Sequence, residues 1–184
     1  LVIHVDLSVL VWILAFAGIL FSLSGRPGDY RFNQLNFIII ATATVMIAVT
    51  GFLPDARPIM SNYVPALEHP LFIAGLVLFA VGMGAQIVTA MVFSPSIGTA
   101  ASANGVIRFG LNCTAVSILV ALITFFWSWF SLPTQLVSDQ YYELLFWGGG
   151  HILQFLNVAL LILALNLLSR SGLGDVLAAP AYLN

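Results

Sequence analysis

Five long apolar runs dominate the chain, near residues 3–23, 37–53, 71–93, 106–132 and 142–168. An apolar stretch of about 17 residues or more spans the ~30 Å hydrocarbon layer of a bilayer when helical. In hydrocarbon, the backbone has to satisfy its own polar groups, which a helix does within one segment. The runs therefore predict an all-α, polytopic transmembrane bundle of five spans in one domain, residues 1–184. The connectors SGRPGDYRFNQLN, PDARPIMSNYVPALEHP, SPSIGTAASANG and PTQLVSDQY carry the Pro, Gly and Asn that break helices. None is long enough for a second domain, and no internal repeat or low-complexity tract is present.

Composition excludes the soluble alternatives. Hydrophobic residues make up 61% and charged residues 7%, whereas a soluble fold covers its core with roughly a quarter charged residues. A net charge of −2 and five scattered arginines leave no polybasic patch, so the lipid bilayer is a predicted partner and nucleic acid is not. The single Cys113, inside an apolar run, reads as a small packing residue. The chain begins Leu1-Val2-Ile3-His4, without a methionine or basic leader, and reads as a piece of something longer.

Arg26, Arg31, Arg108 and Arg170 fall on one side of the alternating spans and Arg57 on the other. The positive-inside rule makes the four-arginine side cytoplasmic and puts the N-terminal end outside. Phe125, Phe126, Trp127, Trp129, Phe130, Tyr141 and Tyr142 then form an interfacial belt at the external ends of spans four and five. His4 and Asp6 fall in the outer end of span one, and His151 lies roughly 13 Å along span five from its external end. Asp6 reads as solvated. His69 lies at the same interface, where water is partner enough.

Within span five, FWGGGHILQF stands out. Each glycine costs a helix about 1 kcal/mol relative to alanine, and polar side chains at that depth need partners. At 100° per residue, Trp147, His151 and Gln154 share a stripe with Glu143 at its edge. The plainer explanation is hydrogen bonding and close helix packing. The functional one is that Gly148, Gly149 and Gly150 clear space beside an imidazole for a large flat group, and that the imidazole ligates iron, copper or zinc. Interhelical hydrogen bonds explain Thr42, Thr44, Gln86, Thr89, Asn112 and Ser117, and Arg108 snorkels to the cytoplasmic surface.

His4 in HVDLSVLVWILAF and His151 in FWGGGH together resemble the catalytic subunit of the haem–copper oxidase superfamily, nearest its nitric oxide reductase-like members. The resemblance implies that the five spans are helices two to six of a twelve-helix fold. It implies that His4 ligates a low-spin haem b, that His151 ligates non-haem copper or iron beside a high-spin haem b, and that NO or O2 is reduced there. The further metal and haem ligands of the family belong to helices outside these residues. Oxygen-reducing members continue Pro-Glu-Val-Tyr after the histidine, and familiar nitric oxide reductases place a glutamate four residues on. This chain has Ile152-Leu153-Gln154-Phe155, which favours the reductase-like side, with Gln154 as a neutral ligand or hydrogen-bonding group. Glu143 is a candidate proton relay, though a solvated interfacial carboxylate is the simpler reading. The implied setting is a multi-pass subunit of a respiratory complex in the bacterial inner membrane, fed by cytochrome c or quinol. The alternatives are cytochrome c oxidase subunit I proper, a membrane cytochrome b-type electron carrier, and a non-enzymatic transporter or assembly subunit.

Overall fold

The computed structural model describes residues 1–24, 30–93, 103–133 and 135–173. The first span comprises α1 (Val2–Val5), a π-helical stretch (Asp6–Val11) and α2 (Trp12–Ser24). Then follow α3 (Tyr30–Thr50), β1 (Arg57–Ile59), β2 (Ala66–Glu68), α4 (Pro70–Phe93), α5 (Ala103–Ser131) and α6 (Ser138–Leu173). Among the described residues five helices are long and apolar enough to cross a membrane, as expected of a multi-pass membrane protein. All five coincide with the apolar runs. The second begins earlier than the run does, at Tyr30, because Asn33 and Asn36 are drawn into the helix by partners on α4.

Two helical hairpins, α3 with α4 and α5 with α6, make the most extensive contacts; α4 joins them, and α2 packs on α4 and α5. Their shared core contains Ile47, Phe72, Met83, Ile87, Ile118 and Leu156, all almost fully buried. Large apolar side chains such as Val45, Phe126, Trp127, Phe130 and Leu165 point outward, the pattern of a bundle whose solvent is lipid. Between α3 and α4 an amide ladder crosses the apolar interface. Gln86 donates to Asn33 Oδ1 at 3.1 Å and accepts from Asn36 Nδ2 at 3.1 Å. Gln86 thus behaves as the expected interhelical residue. Thr44, Ser117 and Asn112 instead bond to carbonyls four residues back in their own helices, and Cys113 is exposed rather than packed.

The second connector is structured. After Thr50 the chain closes with short-range bonds from Gly51, Phe52 and Leu53 to carbonyls three residues earlier, then Pro54 prevents further helix. β1 and β2 pair antiparallel with Arg57 opposite Glu68 and Ile59 opposite Ala66. The pair of opposite charges sits at 3.6 Å, and Glu68 also accepts from the Ser138 hydroxyl at 2.9 Å. Ile59, Val64, Ala66 and Leu67 are buried, so this hairpin plugs one end of the bundle. His69 is not left to water. Its Nδ1 accepts the N–H of Leu71 at 3.1 Å, capping α4 ahead of Pro70, and its Nε2 lies 3.5 Å from the Asp55 carboxylate.

Candidate functional site

His151 lies on α6 near the hairpin end, and the glycines before it are filled from three directions. A Cβ on Gly148 would meet the Thr124 methyl at 2.9 Å; on Gly149 it would enter the Phe125 ring, and on Gly150 it would enter Tyr63. The space read from the sequence as room for a flat group is thus occupied by two aromatic side chains of the protein itself. One of them comes from α5. The other comes from the hairpin.

Tyr63 brings more than a ring. His151 Nδ1 lies 2.7 Å from the carbonyl oxygen of Trp147, one turn back, and a carbonyl only accepts, so Nδ1 carries the proton. Nε2 is then a lone-pair acceptor, and the Tyr63 hydroxyl donates to it at 2.7 Å. The Tyr63 and Trp147 rings are each centred 4.5 Å from the imidazole and tilted against it by 42° and 58°. Asn62, the preceding residue, fastens the hairpin to α6: its backbone N–H and side-chain amide both donate to the Glu143 carboxylate. Glu143 is consequently neither free nor simply solvated.

A cavity of about 140 Å³ opens beside this pair. Tyr63, Gly150, Gln154 and Asn157 line one wall, and Leu10 and Ile13 from the first span line the other. The amides of Gln154 and Asn157 have no hydrogen-bond partner among the described residues; Gln154 is exposed and Asn157 half-buried. Phe155, one turn after His151 on α6, is exposed.

His4 stands apart from this cluster. It is exposed on the first span, close to where Ile3 packs against Gly51 at the end of α3, and its ring has no partner among the described residues. Asp6, expected in solvent, is instead 1% exposed, and neither carboxylate oxygen has a hydrogen bond. It begins the π-helical stretch, in which Trp12 bonds to the Leu7 carbonyl five residues back. Among the described residues no three His, Cys, Asp or Glu side chains gather as a metal site would require. His4 lies on α1 and His151 on α6. Arg26 lies outside the described residues, and the side chain of Arg170 does also.

Sequence reasoning found His151, Gln154 and the glycines and missed Tyr63 and Asn62. Both sit in a connector, SNYVPALEHP, whose only signal was an aromatic residue near an interface.

A protein of Aquifex aeolicus (strain VF5) described only as uncharacterized is 30% identical over 159 residues, covering 86% of this chain and 40% of that protein. A second uncharacterized protein, from Rickettsia prowazekii (strain Madrid E), is 28% identical over 191 residues, covering 88% of this chain and 36% of that protein. The chain thus spans less than half the length of these curated relatives. No family model matches, and no solved structure matches.

Proposed function

We propose that this chain is part of a membrane-bound respiratory oxidoreductase of the haem–copper type, reductase-like, that reduces NO or O2. Its hairpin end faces outward from a bacterial inner membrane. The observation that carries the reading is the tautomer of His151. A backbone carbonyl holds Nδ1–H, so Nε2 presents its lone pair toward Tyr63 beside a partly polar cavity at membrane depth. That is the form in which an imidazole ligates a metal, with its other nitrogen committed to an orienting acceptor.

The residues fit the implied groups as single contributions. A cavity near 150 Å³ accommodates a benzene-sized ring, so the 140 Å³ lined by Tyr63 and Gly150, but not by His151, has no room for a porphyrin. His4, exposed on the first span, would be the residue that holds a haem. The remaining ligands would come from outside this chain, in keeping with relatives more than twice as long. When bound, haem and metal supply the redox chemistry. The chain's own residues do the holding: Trp147 fixes the His151 tautomer, Gln154 offers a neutral amide to the cavity, and Glu143 steadies the loop through Asn62. Cytochrome c or quinol is the electron donor in this reading, within a larger complex.

A second reading is favoured by the same bond. Tyr63 and Trp147 satisfy both ring nitrogens of His151 within the protein, which is how a redox-inactive transporter or assembly subunit would keep a buried histidine. Optical spectra and metal analysis of the full-length protein purified from membranes separate the two. Two haems plus a non-haem metal support the enzyme; haem alone makes the protein a b-type carrier, and neither makes it the inactive bundle. His151→Ala is expected to remove the non-haem metal and to leave the low-spin haem spectrum intact.

A further inference from the structure

We infer that the cavity between the first span, the hairpin and α6 is a binding site for a single-ring phenol or quinone dissolved in the bilayer, its oxygen held by the amides of Gln154 and Asn157. The site needs neither haem nor metal. Only the identity of its occupant as a quinol electron donor rests on the respiratory reading above.

The first span packs chiefly on α3, α4 and α5, and toward α6 it leaves a cavity of about 140 Å³. That volume matches one six-membered ring, since an apolar cavity near 150 Å³ takes up benzene. Leu10, Ile13 and Leu153 supply apolar walls and Tyr63 an aromatic one, the usual lining of a small-molecule site. Val9 and Leu10 belong to the π-helical stretch, and π-turns within helices are frequent at functional sites.

Four polar side chains line the cavity, and two are committed elsewhere: the Tyr63 hydroxyl to His151 and Asn62 to Glu143. Gln154 and Asn157 have no hydrogen-bond partner among the described residues. Their depth selects what completes them. Gln154 stands at the centre of the apolar segment Ser138–Ser169, with Asn157 a turn beyond. The ~30 Å hydrocarbon layer keeps phospholipid esters and water at its edges, and acyl chains carry no hydrogen-bonding atom. A lipid-soluble ring bearing an oxygen reaches that depth, and Gln154 is exposed, so the way in is from the lipid side. An amide donates N–H to a carbonyl and accepts from a hydroxyl, so the same pair serves quinone and phenol alike.

The test uses full-length protein purified from membranes and reconstituted in phosphatidylcholine vesicles. Fluorine NMR follows 4-fluorophenol as probe and fluorobenzene, the same ring without the oxygen, as control. Saturable broadening beyond that of protein-free vesicles is expected, with 4-fluorophenol bound about 10-fold more tightly than fluorobenzene, the worth of one hydrogen bond. Gln154→Leu combined with Asn157→Leu is expected to remove that preference and to keep fluorobenzene binding. Ile13→Trp, which fills the cavity, should abolish saturable binding of both. Wild-type protein that binds neither probe overturns the inference, as it would if a polar group of another helix already occupied the amides. So does equal binding of the two probes, a preference that survives the double substitution, or unchanged binding in Ile13→Trp. Haem content of the same preparation keeps the two proposals apart. Oxygen-selective binding without haem sinks the respiratory reading alone, and haem without saturable binding sinks the cavity assignment alone.

Discussion

Asn62 donates twice to Glu143, its backbone N–H to Oε2 at 2.9 Å and its side-chain amide to Oε1 at 2.6 Å. One carboxylate on α6 thereby fixes the residue next to Tyr63, and Tyr63 in turn meets His151 eight residues further along the same helix. The connector is held on α6 at both points. This arrangement gives Glu143 a positioning role at the end of the bundle.

Removing the carboxylate should loosen the hairpin before it loosens the bundle. Hydrogen bonds to charged groups contribute about 1.5–3 kcal/mol when shielded, and partial exposure here puts the pair nearer the lower end. Glu143→Ala is expected to accelerate hydrogen exchange across residues 60–66 and to leave the helices protected. Glu143→Gln, which keeps one acceptor, should fall between. Unchanged exchange at the Asn62 amide in Glu143→Ala would show that the clamp does not hold the loop.

Glycines in the same bundle should respond oppositely to alanine. At Gly150 a methyl group collides with Tyr63 near its backbone, where the neighbour yields least, so Gly150→Ala is expected to cost about 1–3 kcal/mol. At Gly18 nothing lies within 4 Å, and Gly18→Ala should stabilise by about 0.5–1 kcal/mol through helix propensity alone. Thermal unfolding in detergent, followed by circular dichroism, reads both. Equal effects at the two sites would mean that Tyr63 does not occupy the notch.

How much of this was legible beforehand follows from where information about a side chain resides. Span positions were readable because hydrophobic length is a property of consecutive residues, and all five helices lie on the runs. His151 and its glycines were conspicuous because they are costly at membrane depth. Tyr63 was not, because a tyrosine in an interfacial connector costs nothing and its meeting with His151 spans 88 positions. The π-helical stretch had no sequence mark either. Asp6 was misread for the same reason: closeness to the end of a span suggested water, whereas burial depends on which helices pack around it.

The amide ladder between α3 and α4 offers a test of coupling. Asn36→Leu leaves Gln86 Oε1 without its donor, and an orphaned buried acceptor costs about 1–3 kcal/mol. Gln86→Leu removes the donor to Asn33 Oδ1 and leaves Asn36 only its longer bond to Thr89. The double variant should therefore lose less than the sum of the single losses, with a coupling of about 0.5–3 kcal/mol. Strict additivity in a double-mutant cycle of thermal stability would refute a shared network.

Asp6 is the position where stability and any function should part company. Both carboxylate oxygens are buried in an apolar span without a hydrogen bond, and such a group costs about 1–3 kcal/mol or more. Asp6→Leu removes the polar atoms and is expected to raise the melting temperature in detergent. Asp6→Asn keeps polar atoms of the same shape and should change it little. The order matters because it separates desolvation from packing. If Asp6→Leu melts lower than wild type while Asp6→Asn does not, the carboxyl site is too tightly packed for the larger side chain. If both melt lower, the carboxyl group has a stabilising partner and the unsatisfied assignment fails. A stabilised Asp6→Leu protein would leave the π-helical turn with an acid whose retention has to be explained by what it does rather than by what it holds together.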